Sequence, residues 1–74
     1  MNFNVIQTKE ELPAHQQRVI EEANVLAVKL NALKDFSEGA IFSTLDAKEQ
    51  GRLRRQFIFM ELYWGVLHER INNF

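Results

Sequence analysis

The sequence predicts an all-α domain, in which a short N-terminal arm precedes an antiparallel two-helix hairpin that assembles into a homo-oligomer. Two long segments carry apolar residues at alternating steps of three and four, the spacing of packed helices. Gly39 and a run of helix-start residues separate these segments. The second segment is apolar on more sides than a single partner helix can bury.

Length and composition favour stabilisation by partners. The chain has 74 residues, of which 46% are apolar and 26% charged, and it contains no cysteine. A domain of this size buries only about 60% of its unfolded surface, and it cannot form disulfides. We therefore expect self-association of a single domain, residues 1–74, in a reducing cytosolic setting.

The charge balance and the lack of a long apolar run argue against duplex nucleic acid and membranes as partners. A formal net charge of -1 gives no strong attraction to duplex nucleic acid or anionic lipid. No apolar run approaches the roughly 20 residues of a membrane span, and the first residues lack the basic and apolar regions of a secretory signal. We expect no duplex nucleic acid and no membrane as partners.

The arm covers residues 1–12 and helix one covers residues 13–36. Thr8 and Glu11 match a capping box, which predicts a short turn at 8–12. Pro13 is favoured at the first helical position; the alternative is one continuous helix kinked at Pro13. The expected core stripe of helix one is Val19, Ala23, Leu26, Leu30 and Leu33, with Val25 and Val28 off it.

The linker is expected to begin at Gly39 in a left-handed conformation, followed by residues 40–42 docked as a loop or short turn. A hydroxyl cap at Ser43 or Thr44, with Asp46 in the first turn, begins helix two, residues 45–73. Gly51 and Gly65 disfavour a helix, and a close helix crossing would explain them.

Helix two carries two apolar sets. The core stripe is Leu53, Phe57, Met60, Trp64, Leu67, Ile71 and Phe74. Beside it lie Ile58, Phe59, Leu62, Tyr63 and Val66. Because both sets must be buried, we expect a closed homo-oligomer, dimeric or higher.

No enzyme constellation is visible in the sequence. It has no cysteine nucleophile, no GxSxG, no phosphate-binding loop and no HExxH. A metal-dependent hydrolase using His15, His68 and nearby glutamates is the weakest hypothesis. We expect no catalytic residues, no metal and no cofactor.

Basic residues are the candidate binding groups. Arg18 and Lys29 are 11 residues apart, about three helical turns, so they point the same way. His15 and Arg18 of one subunit, together with Lys29 of another subunit, could clamp a small anionic ligand. The alternative is a solvated face paired with Glu21, Glu22 and Glu49.

A second basic cluster lies at the start of helix two. Arg52, Arg54 and Arg55 follow Lys48 there. Arg52 and Arg55 share one face of the helix, and Arg54 points elsewhere.

Residues 12–22, LPAHQQRVIEE, resemble the opening of a family of small helical phage proteins. Phe42-Ser43-Thr44-Leu45, Glu49-Gln50, residues 53–56, Met60, Tyr63 and Arg70-Ile71 resemble the rest of its pattern. The resemblance covers residues 12–74. The family is related to a crAss-like phage protein and includes anti-CBASS sponges, which sequester the cyclic oligonucleotide signals of bacterial immunity.

The resemblance implies a compact homohexamer that binds cyclic dinucleotides between paired subunits, and in some members cyclic trinucleotides at a separate site, without cleaving them. It places the base-stacking aromatic at His15, where relatives are expected to have Tyr, and the ligand-contacting lysine at Lys29. Arg54 or Arg55 is the choice for phosphate contacts in a trinucleotide site.

The leading prediction is therefore a phage-encoded protein of the bacterial host cytoplasm that blocks CBASS signalling by sequestering cyclic oligonucleotides. Its ligand-binding residues are His15, Arg18, Lys29, Arg54 and Arg55. The alternative is a helical protein–protein interaction module without a ligand, acting through helix-in-groove packing.

Overall fold

The computed structural model describes residues 3–6 and 11–74, and within them it contains helices and no strand. Helix α1 is Ala14–Glu38, α2 is Ala40–Thr44 and α3 is Ala47–Asn72. The two long helices pack against each other in an antiparallel pair, connected by α2. The all-α prediction is confirmed, with the short α2 as an addition.

Helix α1 begins directly after Pro13. The Pro13 carbonyl accepts the backbone N–H groups of Gln16 and Gln17 at 3.0 Å each, and residues 11–13 are not helical. The helix therefore starts one residue later than predicted, and no continuous kinked helix runs through Pro13. The predicted capping box depends on Thr8, which lies outside the described residues.

The exit from α1 differs from the prediction. The helix extends to Glu38 instead of residue 36, and Gly39 has φ -89° and ψ 169°, an extended conformation. The predicted left-handed Gly39 is wrong because the chain passes straight into α2. Phe42 on α2 is buried and meets Phe36 edge-on, with ring centroids 6.3 Å apart.

Asp46 determines where α3 begins. Its carboxylate accepts the backbone N–H groups of Lys48 at 2.7 Å and Glu49 at 3.0 Å. The hydroxyls of Ser43 and Thr44 instead donate to carbonyls within α2. The predicted start at residue 45 and the hydroxyl cap are therefore wrong, since the acid itself is the cap.

Most residues of the two predicted stripes form the interface between α1 and α3. Phe74 is the exception: it follows the last residue of α3, Asn72, and is 41% exposed, so its predicted place in the core is wrong. Val19, Ala23, Leu26, Ala27, Leu30 and Leu67 are buried in one cluster, and Phe57, Met60, Trp64 and Ile71 pack against it half-buried. A Cβ atom added at Gly51 or Gly65 would meet nothing within 4 Å. Among residues 3–6 and 11–74, no close helix crossing therefore lies at these glycines, and that expectation is wrong for the described part of the protomer.

The N-terminal arm contributes an aromatic residue to this core. Phe3 is only 6% exposed, and its ring lies 6.0 Å from Phe57 and 5.2 Å from Trp64, edge-on to both. Side chains of Asn24 and Asn31 on α1 hold the arm backbone by hydrogen bonds. The arm's weak periodicity predicted none of this.

The molecule is a rod with principal extents of 47 × 18 × 17 Å. A rod two helices wide leaves one side of each long helix uncovered. In the described part of the chain, neither long helix has the continuous apolar length that crossing a membrane requires.

Candidate ligand-binding surface

Three of the predicted ligand residues lie along one exposed side of α1. His15, Arg18 and Lys29 are all exposed. At 3.6 residues per turn they fall within a sector of about 60°. They also spread over about 21 Å of helix length. One protomer therefore aligns these side chains in a row without bringing them to a single point.

Lys29 lies beside an aromatic ring from the other long helix. It lines a groove of about 360 Å³ together with Glu22, Val25, Leu26 and Tyr63. Tyr63 is 44% exposed, so its ring is open to solvent on one side. The groove thus combines a cation with a stacking surface, and it also holds the carboxylate of Glu22.

The apolar pattern of α3 predicts Tyr63 on an assembly surface and not in a ligand site. Lys29 and Tyr63 are on different helices, so no single-helix pattern joins them. Only the pairing of α1 with α3 brings them to one groove, where Leu26 and Tyr63 both lie. Aligning the core stripe of α1 with that of α3 in antiparallel register could have predicted that Lys29 and Tyr63 share a groove.

Arg54 and Arg55 belong to different surfaces. The Arg54 guanidinium carbon lies 5.3 Å from the Phe42 ring centroid, a cation–π contact. Arg54 lines a second groove, of about 490 Å³, with Phe3, Phe42 and Phe57 among its walls. Arg55 is exposed and points about 100° away around α3.

Within the part of the chain that the structure describes, the basic candidates form no ion pair with an acid. The ion pairs found in residues 3–6 and 11–74 join Lys34 to Glu38 at 3.7 Å and Arg52 to Glu49 at 2.7 Å. Glu49 therefore pairs with Arg52, as expected for a solvated helix surface. His15, Arg18, Lys29, Arg54 and Arg55 take part in neither pair, which leaves their charges available to an anion.

The outer side of α3 is apolar and uncovered. Five apolar residues lie on this side, and each is between 44% and 66% exposed: Ile58, Phe59, Leu62, Tyr63 and Val66. These are the residues that the sequence analysis set apart from the core stripe. We call them the outer face of α3.

The two histidines differ in surroundings. His68 lies against Trp64, with ring centroids 5.0 Å apart, and its Nδ1 is 3.2 Å from the side-chain amide of Asn72. His15 is exposed near the start of α1. In the described residues, no three His, Cys, Asp or Glu side chains lie together as a metal site.

Comparison with known proteins gives a family. A relative from Enterobacteria phage T4, "Uncharacterized 7.5 kDa protein in denB-rIIB intergenic region", is 48% identical over 61 residues, which cover 82% of this chain and 95% of the relative. No solved structure matches. The family model Sequestin matches residues 13–73. The prediction of a small phage sponge family is thereby confirmed, and the chain belongs to the Sequestin family.

Proposed function

We propose that this protein is a phage immune-evasion protein that binds cyclic oligonucleotide second messengers and withholds them from bacterial CBASS signalling. Membership of a family named for sequestering carries the proposal, and the T4 relative supports a phage origin. A protein that only sequesters needs tight binding and no acid or base, so we propose that it is not an enzyme. It would act in the bacterial host cytoplasm.

The surface of α1 suits a small ligand with two phosphates. Arg18 and Lys29 point the same way about 16 Å apart, and Arg guanidinium groups suit bidentate phosphate contacts. Two copies related by a two-fold axis present two sets of these groups, matching the pseudo-two-fold symmetry of a cyclic dinucleotide. We propose that His15 and Arg18 of one copy act with Lys29 of a second copy.

Base stacking requires an aromatic surface beside these cations. His15 offers a small ring, whereas Tyr63 places a larger ring in the groove that holds Lys29. Base–aromatic stacking contributes about 1–3 kcal/mol per base in single-stranded nucleic acid. We therefore add Tyr63 to the proposed dinucleotide site.

A trinucleotide site would use the arginines of α3. Arg54 borders the groove walled by Phe3, Phe42 and Phe57, and Arg55 faces outward beside the outer face of α3. The two side chains diverge by about 100° around α3, so we propose that either Arg54 or Arg55 of a given copy contacts the ligand phosphates.

The exposed apolar surface supports a proposal of self-association. The accessible area is 5481 Å², whereas a folded monomer of 8.7 kDa is expected to expose about 4,700 Å². The outer face of α3 contributes five apolar residues to the exposed surface. We propose that copies pack through this face into a homo-oligomer, with the hexamer as the expected state.

The outer face of α3 also supports a second candidate, a ligand-free module that binds another protein. Ligand recovery distinguishes the two. Incubation with cyclic di- and trinucleotides, gel filtration, denaturation and mass analysis should return bound ligand with its mass unchanged. Linear products would indicate an enzyme, and the absence of any retained nucleotide would favour the interaction module.

A further inference from the structure

Two asparagines of α1 hold the N-terminal arm by the same contact. The Asn31 side chain accepts the Phe3 N–H at 3.0 Å and donates to the Phe3 carbonyl at 2.9 Å. Asn24 accepts the Ile6 N–H at 2.7 Å and donates to the Ile6 carbonyl at 2.6 Å. Each amide pairs with both main-chain groups of one arm residue, so the contact recognises backbone rather than side chain.

The spacing of the asparagines matches an extended segment. Seven residues are nearly two helical turns, so Asn24 and Asn31 lie on one side of α1, about 10.5 Å apart. Phe3 and Ile6 are three residues apart, the period of a polyproline II backbone, which advances about 9 Å over that length. Burial has the same period, since Phe3 is buried and Ile6 is half-buried while the two residues between them are exposed.

Selectivity comes from the first position of the segment. The Phe3 ring enters the core between α1 and α3 and meets Phe57 and Trp64 edge-on. An aromatic ring is the group that gains both contacts. Val5 is 62% exposed, so its position is open to other side chains. The groove therefore favours an aromatic residue three positions before an aliphatic one.

The groove and its occupant are separate parts of the chain. Asn24, Asn31, Phe57 and Trp64 lie within residues 13–73, which the Sequestin model matches, whereas the arm precedes them. We propose that this groove is a peptide-binding site for an extended aromatic-x-x-aliphatic segment. Residues 3–6 of the arm occupy it as an intramolecular ligand, and a peptide of the same pattern binds when their contacts are weakened.

The experiment measures binding of a fluorescein-labelled peptide of residues 1–8 to full-length chains. The Phe3→Ala chain should bind it at least tenfold more tightly than the unmodified chain, because the resident arm no longer competes at high effective concentration. A Val5→Ala chain is the matched control and should behave like the unmodified one. Adding Asn31→Leu to the Phe3→Ala chain should abolish binding.

Peptide variants test the pattern itself. A peptide with Phe3→Ala should bind the Phe3→Ala chain at least tenfold more weakly, and one with Val5→Ala should bind equally well. A folded Phe3→Ala chain, judged by helical circular dichroism, that binds no peptide would overturn the proposal. Equal binding of both peptide variants would overturn it as well.

Hydrogen exchange on the unmodified chain provides a test that does not depend on whether the Phe3→Ala chain folds. The Phe3 and Ile6 amides should exchange slowly, and those of Asn4 and Val5 quickly. In an Asn31→Leu chain, Phe3 should lose its protection while Ile6 keeps it. Equal exchange at all four amides would overturn the proposal.

Discussion

Lys29 and Tyr63 bring a cation and an aromatic ring to one groove of the proposed dinucleotide site. Lys29 was expected from the family resemblance, but Tyr63 was not, because its role depends on which residue of α1 faces it. The same groove contains Glu22, whose charge opposes the binding of an anion. Substitutions at Lys29 and Glu22 should therefore change ligand affinity in opposite directions, although both residues line one groove.

Removing the lysine should weaken ligand binding. Lys29→Ala removes a charge-assisted contact to phosphate, worth about 1.5 kcal/mol or roughly tenfold in affinity. Lys29 is exposed, so the fold should be unchanged. Calorimetric titration with cyclic dinucleotides measures the effect, with Lys48→Ala as an exposed-lysine control. Equal affinity of Lys29→Ala and the unmodified chain would remove Lys29 from the site.

Removing the acid should strengthen binding. Glu22→Gln eliminates a like charge beside the ligand phosphates and keeps the side-chain shape. Exposed charge pairs contribute about 0.2–1 kcal/mol, so we expect affinity to rise by up to roughly fivefold, more at low salt. The matched control is Glu69→Gln, on α3 outside the groove. Weaker binding by Glu22→Gln would indicate that the anion does not occupy this groove.

At the scale of elements, the long helices were predictable and the segments that join or cover them were not. Stripes such as Val19 to Leu33 repeat within one helix, so the sequence alone reveals them. Asp46 is the cap of α3, because the hydroxyls of Ser43 and Thr44 form hydrogen bonds within α2 instead. Which of these three residues caps the helix depends on the geometry of the linker, which the sequence does not reveal. The docked arm depends on Asn24 and Asn31, which look like ordinary polar helix residues in the sequence.

The cap assignment gives a stability prediction. Asp46→Ala leaves the first N–H groups of α3 without their acceptor and should lower the free energy of unfolding by about 1 kcal/mol. Asp46→Asn should retain most of the stability. Urea denaturation measures both, with Asp35→Ala in α1 as the control. A loss in Asp35→Ala as large as in Asp46→Ala would contradict the cap.

Replacing Gly51 should have the opposite effect and increase stability. It lies inside α3 with nothing within 4 Å of an added Cβ atom, so Gly51→Ala should raise the free energy of unfolding by about 1 kcal/mol. Thermal unfolding followed by circular dichroism measures the change. Destabilisation combined with loss of assembly would place Gly51 in a contact between copies.

At the scale of the whole molecule, the rod leaves the outer face of α3 exposed, and the proposed oligomer covers it. Leu62 and Phe59 are 62% and 66% exposed, so they contribute little to the protomer core. Trp64 and its neighbours in the core stripe of α3, in contrast, pack inside the protomer. Assembly and protomer folding should therefore depend on different apolar residues of the same helix.

Replacing one outer residue tests this separation. Leu62→Glu should dissociate the oligomer, because a buried unpaired carboxylate is strongly unfavourable, and should leave the helical content intact. Sedimentation velocity measures the mass. Ile41→Glu, equally exposed on α2, is the matched control and should assemble normally. An unchanged oligomer in Leu62→Glu would assign assembly to another surface.

The central claim is that an assembly of this chain sequesters cyclic oligonucleotides without altering them. Native mass spectrometry, with and without a panel of cyclic di- and trinucleotides, measures subunit number and ligand stoichiometry together. We expect a homo-oligomer, with six copies, that carries a fixed number of ligands of unchanged mass. An assembly that ignores every cyclic nucleotide, or releases linear products, would contradict it.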